Sequence, residues 1–179
     1  TSLTLKDVQP KLKELVDLLF RRVPAGVGSK GFVKLNHQQF KEAVEQGSRW
    51  CVENGYGRQE DIEGTEAKGI IDWADSSKIS EKSVSRGINQ IGTLGSGNHY
   101  LEIQHVREDQ IFNEELAKKF GLFPDQICVM VHCGSRAFGH QVATDYLKIF
   151  LDVMQREKMK VADRELACAP FHTKEGQDY

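Results

Sequence analysis

Several features that identify particular protein classes are missing from the chain. The four cysteines, Cys51, Cys128, Cys133 and Cys168, form no CxxC pair and no dense framework of the kind that staples small secreted domains. The longest unbroken apolar run, Ile127 to Val131, is far shorter than the roughly 20 residues that span a bilayer. No signal-peptide pattern opens the sequence. We therefore expect a cytoplasmic protein in a reducing compartment, with no membrane partner.

Familiar catalytic and nucleotide-binding signatures are also missing. The glycines in residues 92–97 do not follow GxGxxG and no GKS or GKT is present, which excludes a Rossmann fingerprint and a Walker A loop. Ser96 lies in Gly-Ser-Gly without a GxSxG elbow, so a serine hydrolase is not indicated. Glu102 and Asp145 could form a carboxylate pair, but both are more often surface residues, and glycosidase chemistry has no positive support.

The composition is that of a globular domain. The chain has 179 residues, of which 39% are apolar and 28% charged, enough for one sizeable core. We expect a single folded unit over residues 1–179 of mixed α/β (α+β) class, with helices packed on a mixed sheet. The net charge of −2 provides no strong overall field. A nucleic acid would therefore have to be held by local basic patches.

Hydrophobic periodicity and capping residues predict the secondary structure. Asp7 is expected to cap a packing helix over about residues 8–22, because apolar residues recur there at helical spacing. Asn36 and Gln39 resemble a capping box for a helix that ends at Gly55. The other predicted elements are short helix or loop over residues 58–78, helices over 79–87, 113–120 and 139–158, a strand over 100–106 and a buried strand over 126–132.

Two glycine-containing blocks place histidines at the ends of the two predicted strands. The first block runs from Gly95 to Tyr100 and the second from His132 to His140. Neutral imidazole is a common metal donor, and glycine lets the backbone approach a ligand closely, so His99 and His132 predict two walls of one metal and phosphate site. Their separation of 33 residues matches no local metal motif. Each histidine is thus equally expected to form hydrogen bonds in a loop or the core.

The residues after His132 suit a phosphate more than a metal. Gly134, Ser135 and Arg136 supply a turn, a hydroxyl and a guanidinium, a combination suited to a bidentate phosphate clamp, although a carboxylate partner for Arg136 is an open alternative. Cys133 adjoins His132, and neighbouring side chains in an extended segment point to opposite faces. We therefore leave Cys133 out of the metal shell.

Two other segments have residues that could contact phosphate. Residues 24–31 gather three glycines and a lysine that could present backbone amides to an anion, or form an ordinary connection. Lys78, Lys82 and Arg86 recur every four residues, so a helix over residues 79–87 would place them in one basic stripe. A solvated face is the alternative to phosphate contact for this stripe.

Longer segments resemble a known family. The sequences GTLGSGNHYLEIQ at residues 92–104, VHCGSRAFGHQVATDYL at 131–147 and GVGSKG at 26–31 closely resemble the RtcB family of RNA-splicing ligases. The resemblance extends from Thr1 to the terminal EGQDY and includes the NGYG at 54–57 and the DRELAC at 163–168. It implies an RtcB-like fold and covers essentially the whole chain.

The resemblance implies an activity and its cofactors. Family members join RNA with a 3′-phosphate or 2′,3′-cyclic phosphate to RNA with a 5′-hydroxyl, in tRNA splicing or RNA repair. They use GTP and two manganese ions, and guanylylate a histidine. By motif match, His99 and His132 are metal ligands, Asn98 contacts the guanylate phosphate, and Tyr100 and Glu102 line the nucleotide pocket. The implied partners are RNA, as tRNA halves or broken ends, and an archease-type activating protein.

The second block both matches and departs from the family pattern. Arg136 matches an arginine that handles the RNA end, and we expect His140 to be structural. Residues 135–140 read SRAFGH where the family usually has SRGLGH, and Cys133 replaces a threonine or serine. If the family glycine requires a positive φ, Ala137 would carry a cost of roughly 1–2 kcal/mol and shift the loop that bears Arg136.

The same resemblance implies that the chain is the interior of a longer enzyme. The family's aspartate and bridging cysteine ligands belong to a segment before Thr1, and the guanylylated histidine lies beyond Tyr179. We therefore expect the isolated fragment to be inactive, with no catalytic nucleophile of its own. Two alternatives remain open at this point: a metal-dependent phosphoesterase, and a non-catalytic RNA-binding module on the same fold.

Overall fold

The computed structural model describes residues 1–179, which divide into two compact units. The first comprises residues 1–31 and 92–134, and the second residues 32–91 and 135–179. The expectation of one folded unit over the whole chain stays a prediction. The α-helices are α1 (Leu5–Val8), α2 (Leu12–Arg22), α3 (His37–Gln46), α4 (Ser48–Glu53), α5 (Gln59–Glu63), α6 (Glu81–Gly87), α7 (Glu114–Lys119), α8 (Arg136–Arg156) and α9 (Lys174–Asp178). The strands are β1 (Tyr100–His105) and β2 (Ile127–His132).

The sheet of the first unit consists of β1 and β2 paired antiparallel. Tyr100 lies opposite His132 and His105 lies opposite Ile127, with every residue between them in register. Helices with a small antiparallel sheet agree with the α+β class. The prediction of a mixed sheet is wrong, because the connection over residues 106–126 returns the chain beside β1 in the opposite direction.

The prediction that β2 is a buried strand is also wrong. Ile127 is only 4% exposed, but Val129 and Val131 are 52% and 59% exposed. A continuous apolar run is typical of a strand covered on both faces. The apolar run does not reveal which neighbouring segments cover the strand, so burial along β2 could not be inferred from these residues alone.

The N-terminal helical segment differs from its prediction in the residue that caps it and in the burial of its second helix. Thr4, not Asp7, is the N-cap, and the carboxylate of Asp7 accepts hydrogen bonds from the Thr4 amide at 2.9 Å and the Thr4 hydroxyl at 2.7 Å. A 3₁₀ turn over Gln9–Lys11, which contains Pro10, separates α1 from α2, since proline has no amide hydrogen to continue the helix. None of the residues of α2 is buried, so within this chain it is not the packing helix that was predicted.

The second unit contains a core around α3 and α4. Val33, Ala43 and Trp50 are buried together there. The Asn36 capping box is confirmed, because the Asn36 side chain accepts from the Gln39 amide at 2.8 Å and the Gln39 side chain accepts from the Asn36 amide at 3.0 Å.

The predicted helix from Asn36 to Gly55 is interrupted in the middle. Gly47 separates α3 from α4 with a φ of +58°, a conformation that favours glycine. A Cβ atom at this position would lie 2.4 Å from the carbonyl oxygen of Gly69. The interruption therefore depends on a close approach between distant segments, which periodicity along the helix does not reveal.

Helices α6 and α8 pack closely against each other in the second unit. Ser80 caps α6 by accepting from the Ser83 amide at 3.1 Å, and α8 begins at Arg136, three residues before the predicted start at Gly139. A Cβ atom on Gly87 would lie 2.7 Å from Cβ of Phe138 and 2.8 Å from Cζ of Phe40. The rings of Phe40 and Phe138 meet edge to face at 5.3 Å. The first turn of α8 thus packs directly against Gly87, the last residue of α6.

The helices lack the combination of length and apolar character that a membrane span requires. Even α8, with 21 residues, does not meet it.

We predict that Gly87→Ala destabilises the protein. The added methyl would overlap Phe138, and overpacking of this kind costs about 1–3 kcal/mol, only partly offset by about 1 kcal/mol of better helix propensity. Urea unfolding of the protein should therefore show a net loss of free energy of unfolding. The matched control is Ser85→Ala on the exposed side of α6, for which we expect a change within about 0.5 kcal/mol. Equal stabilities of the two variants would contradict the close packing.

Candidate functional site

The pairing of β1 with β2 brings His99 and His132 together. His99 immediately precedes β1, and His132 is the last residue of β2, opposite Tyr100. The centroids of the two imidazole rings are 6.0 Å apart. The sequence hypothesis that the two histidine blocks form neighbouring walls therefore agrees with the geometry, while metal binding itself stays a prediction.

The environment of His99 fits a metal ligand. Its Nδ1 atom is buried and has no hydrogen-bond partner, and a buried polar atom left unsatisfied costs about 1–3 kcal/mol. The other ring nitrogen, Nε2, would lie 3.4 Å from a Cβ atom on Gly134. A divalent cation at Nδ1 would satisfy the orphaned nitrogen, since neutral imidazole is a good donor to transition metals.

The chain supplies only part of a complete metal coordination shell. No group of three or more His, Cys, Asp and Glu side chains is placed to hold one metal ion. His99 and His132 are therefore the two candidate donors within the chain, and structural and catalytic transition-metal sites use three or four.

Tyr100 makes a contact with His132 that sequence reasoning missed. The phenol ring stacks on the imidazole with centroids 5.4 Å apart and an interplanar angle of 22°, and the Tyr100 hydroxyl lies 3.6 Å from the sulfur of Met130. Directly opposite residues in an antiparallel pair share one face of the sheet. The signal for this contact is the strand register, which the sequence did not provide. Tyr100 thus restricts the orientation of His132.

Asn98 and Glu102 flank the same end of β1. Glu102 lies two residues after Tyr100, on the same face of the strand. Its carboxylate accepts from the side-chain amide of Gln104 at 2.9 Å. Asn98 and Glu102 are both exposed. Their polar groups are therefore accessible to a ligand, and their assignment to a guanylate stays a prediction.

The two glycine-rich loops of the first unit bind each other. The amide of Gly26 donates to the carbonyl oxygen of Gly95 at 2.6 Å, and the amide of Leu94 donates to the carbonyl oxygen of Pro24 at 2.8 Å. Gly26 and Gly95 have φ of +99° and +108°, which an L side chain rarely adopts. The Gly26 amide is therefore satisfied within the protein and supports the loop before His99, while anion binding by the other amides of residues 24–31 stays a prediction.

Cys133 is directed toward the same glycine loop. Its thiol lies 3.0 Å from the carbonyl oxygen of Leu94 and 3.6 Å from that of Thr93. This contact ties the end of β2 to the loop that leads into β1. The thiol thus contacts backbone oxygens, and its omission from the metal shell stays a prediction.

Arg136 lies in the second unit, at the first position of α8. Its φ is +55°, whereas Ala137 has no positive φ and continues the helix. The condition for a cost at Ala137 is therefore not met in this structure, and the positive φ falls on Arg136 instead. The amide of Ala137 donates to Oε1 of Gln90 at 3.0 Å. The Ala137 departure from the family pattern is accommodated by ordinary helical backbone.

The predicted basic stripe is not carried by one helix. Lys78 lies outside α6 in the 3₁₀ turn Ser76–Lys78, with its ammonium 3.1 Å from the carboxylate of Asp178. Arg86 donates to Oε1 of Gln141 at 2.6 Å. The prediction that one helix carries all three basic side chains is therefore wrong, whereas phosphate contact by the exposed Lys82 and Arg86 stays a prediction.

A partly buried polar network connects α6 with α8. Gln141 is only 2% exposed and donates to Oδ1 of Asp145 at 2.7 Å, while the Ser80 hydroxyl donates to Oδ2 of Asp145 at 2.6 Å. The hydrogen bond from Ser80, and then that from Gln141, lower the pKa of Asp145. Oδ2 of Asp145 thus joins the cap of α6 to α8, and Oδ1 accepts a hydrogen bond within α8, so both oxygens are occupied and a carboxylate pair with Glu102 gains no support.

His140 lies on the exposed side of α8. Its carbonyl oxygen accepts from the Thr144 hydroxyl at 2.7 Å within the helix. This contact involves only the backbone of His140, so its structural role stays a prediction.

We predict that Asp145→Asn reduces stability at neutral pH and that the difference disappears in acid. The folded pKa of Asp145 lies below its unfolded value of about 3.9, so the carboxylate stabilises the fold above that pH and the contribution is lost as pH falls through the folded pKa. We expect a loss of about 1 kcal/mol at pH 7 and almost none near pH 2, measured by urea unfolding. Asp152→Asn, at an exposed position of α8, is the control. An equal loss at both pH values would contradict the assignment.

Comparison with known proteins agrees with the resemblance carried by the motifs at residues 26–31, 92–104 and 131–147. The family model for tRNA-splicing ligase RtcB matches residues 1–179. Proteins described as tRNA-splicing ligase RtcB are 52% identical in Pyrobaculum aerophilum, 49% in Thermococcus kodakarensis and 49% in Pyrococcus abyssi, in each case over 100% of this chain. The chain spans 37%, 37% and 19% of those relatives. The motifs, the whole-length match and the identities together show that the chain belongs to the RtcB family of tRNA-splicing ligases.

Proposed function

We propose that the protein containing this chain is a GTP- and manganese-dependent RNA ligase with an RtcB-like fold. It joins RNA ends bearing a 3′-phosphate or 2′,3′-cyclic phosphate to 5′-hydroxyl ends, in tRNA splicing or RNA repair, through a guanylylated histidine that lies outside this chain. The observation that carries the proposal is the buried, unpartnered Nδ1 of His99 beside the ring of His132. Family membership supports the ligase class.

The two histidines hold manganese in this proposal. His99 offers a nitrogen that no protein group satisfies, and the stacking of Tyr100 limits the rotation of His132. A bound divalent manganese neutralises phosphate charge and polarises the phosphorus centre under attack. The chain contributes two ligands to a site of two ions, and the other ligands come from the rest of the protein.

The end of β1 forms the nucleotide side of the proposed site. Asn98 offers an exposed amide to the guanylate phosphate, and Glu102 and Tyr100 line the nucleotide pocket from one face of the strand. The positive φ of Gly97, +71°, turns the backbone immediately before Asn98. The chain therefore orients the nucleotide by side chains carried on paired, hydrogen-bonded backbone.

Arg136 is the proposed contact for the RNA end. A guanidinium can donate two parallel hydrogen bonds to a phosphate and remains charged at every physiological pH. The partners in this proposal are tRNA halves or broken RNA ends and an archease-type activating protein, in the cytoplasm.

We predict that the complete protein joins two RNA strands when GTP and manganese are supplied. The substrates are a 3′-phosphorylated or 2′,3′-cyclic phosphorylated strand and a labelled 5′-hydroxyl strand, and the product is resolved on a denaturing gel. Omission of GTP should abolish joining, and covalent labelling of the protein by GTP should precede it. Release of phosphate from the RNA without joining would favour a phosphoesterase instead, and RNA binding without either reaction would favour a binding module.

We also predict that His99→Ala and His132→Ala each weaken manganese binding by more than about 100-fold. This exceeds the 10–100-fold effect of residues outside the coordination shell, because each variant removes a donor itself. Metal affinity of the complete protein is measured by calorimetry, with His140→Ala on the exposed side of α8 as the control. Wild-type affinity in both histidine variants would refute the assignment.

A further inference from the structure

The backbone at Arg136 has a conformation that its own side chain does not favour. Its φ of +55° lies in the left-handed region, which non-glycine residues rarely occupy unless surrounding contacts hold them there. Arg136 is also the first residue of α8, a helix of 21 residues. Contacts at the start of α8 are therefore needed to maintain this conformation.

The usual helix cap does not hold this position. Ser135 occupies the N-cap of α8 but makes no side-chain capping hydrogen bond. Its hydroxyl is turned toward Gly139, where a Cβ atom would lie only 2.0 Å away from it. The first amides of a helix have no partner within the helix, so the Ala137 amide requires an acceptor from elsewhere.

Gln90 supplies that acceptor. Its Oε1 atom accepts from the Ala137 amide at 3.0 Å, across 47 positions of sequence. Gln90 follows α6 closely, and its backbone amide donates to the Gly87 carbonyl oxygen at 2.8 Å. The donor therefore belongs to Ala137, the residue after Arg136. The acceptor belongs to Gln90, whose backbone is bonded to the last residue of α6.

The next residue of α8 is fixed by packing. Phe138 lies so close to Gly87 that a Cβ atom there would be 2.7 Å from Cβ of Phe138. The backbone of α8 is thus held by a hydrogen bond at Ala137 and by a close steric contact at Phe138, both from residues 87–90. Arg136 directly precedes these two contacts.

We propose that Gln90 is a positioning residue for Arg136. By holding the Ala137 amide, Gln90 keeps Arg136 in the left-handed conformation and so fixes the direction in which its side chain leaves the backbone. The inference rests on the proposed function, in which Arg136 binds the RNA-end phosphate. Bidentate recognition of phosphate depends on the orientation of the guanidinium, so loss of the Gln90 acceptor weakens the interaction without changing any charge.

The test compares two substitutions in the complete protein. Gln90→Leu removes the acceptor, and Gln90→Glu retains an oxygen at the same position. Hydrogen exchange of the Ala137 amide reports the hydrogen bond directly. We expect it to accelerate by at least about 10-fold in Gln90→Leu and to remain within about 2-fold of wild type in Gln90→Glu. Gln90→Met replaces the leucine variant if that variant does not fold.

The functional measurement is the Kd for a 3′-phosphorylated RNA. We expect Gln90→Leu to raise it about 10-fold, whereas Gln90→Glu restores binding to within about 2-fold of wild type. In an Arg136→Ala background, Gln90→Leu should change the Kd by less than about 2-fold, because a residue that acts through Arg136 has no effect once that side chain is gone. A purely structural role would weaken binding equally in both backgrounds.

The outcomes separate this inference from the proposed function. If wild type binds the phosphorylated RNA end but Gln90→Leu has the same effect with and without Arg136, the positioning role is overturned and the proposed function stands. Unchanged Ala137 exchange in Gln90→Leu also overturns it. If wild type neither binds nor joins the RNA while Ala137 exchange accelerates as expected, the proposed function fails and the hydrogen bond remains as a structural contact only.

Discussion

The antiparallel register of β1 and β2 is the constraint on which the candidate site depends. Tyr100 lies opposite His132, and this alignment places the loop that carries His99 next to the end of β2. The connecting contacts are short-range: the two glycine loops exchange backbone hydrogen bonds, and the Cys133 thiol lies against a carbonyl oxygen of one of them. Side chains separated by 33 positions in the sequence are thus held by backbone geometry rather than by a dedicated core.

In the second unit, side-chain contacts rather than strand pairing fix the arrangement of the elements. Helices α6 and α8 meet through a glycine that leaves no room for a methyl group, and through polar side chains that satisfy each other. Buried polar groups that are fully paired specify one arrangement, since any displacement leaves some of them unsatisfied. This combination of tight contact and paired polar groups allows α8 to begin with a backbone conformation that an arginine would otherwise avoid.

The features that were predicted correctly depend on residues close together in the sequence. The cap at Asn36 was predicted because a side chain that accepts from the amide three residues later is a local feature of the sequence. Each strand was located to within one residue because its pattern lies in the strand itself. The strand register, the exposure of β2 and the positive φ of Arg136 were not predictable. Each depends on a partner segment far away in the sequence, and neither periodicity nor composition carries that information.

The strand pairing also determines where the length of this chain can vary. Side chains alternate between the faces of a strand, so loss of one residue inside β1 or β2 would turn Tyr100 or His132 to the opposite face. The largely exposed connection over residues 107–120 has no such requirement, because it precedes the buried Gln126 and only has to lead from one strand toward the other. Insertions in this connection should therefore be tolerated during divergence of the family, while single-residue gaps in either strand should not.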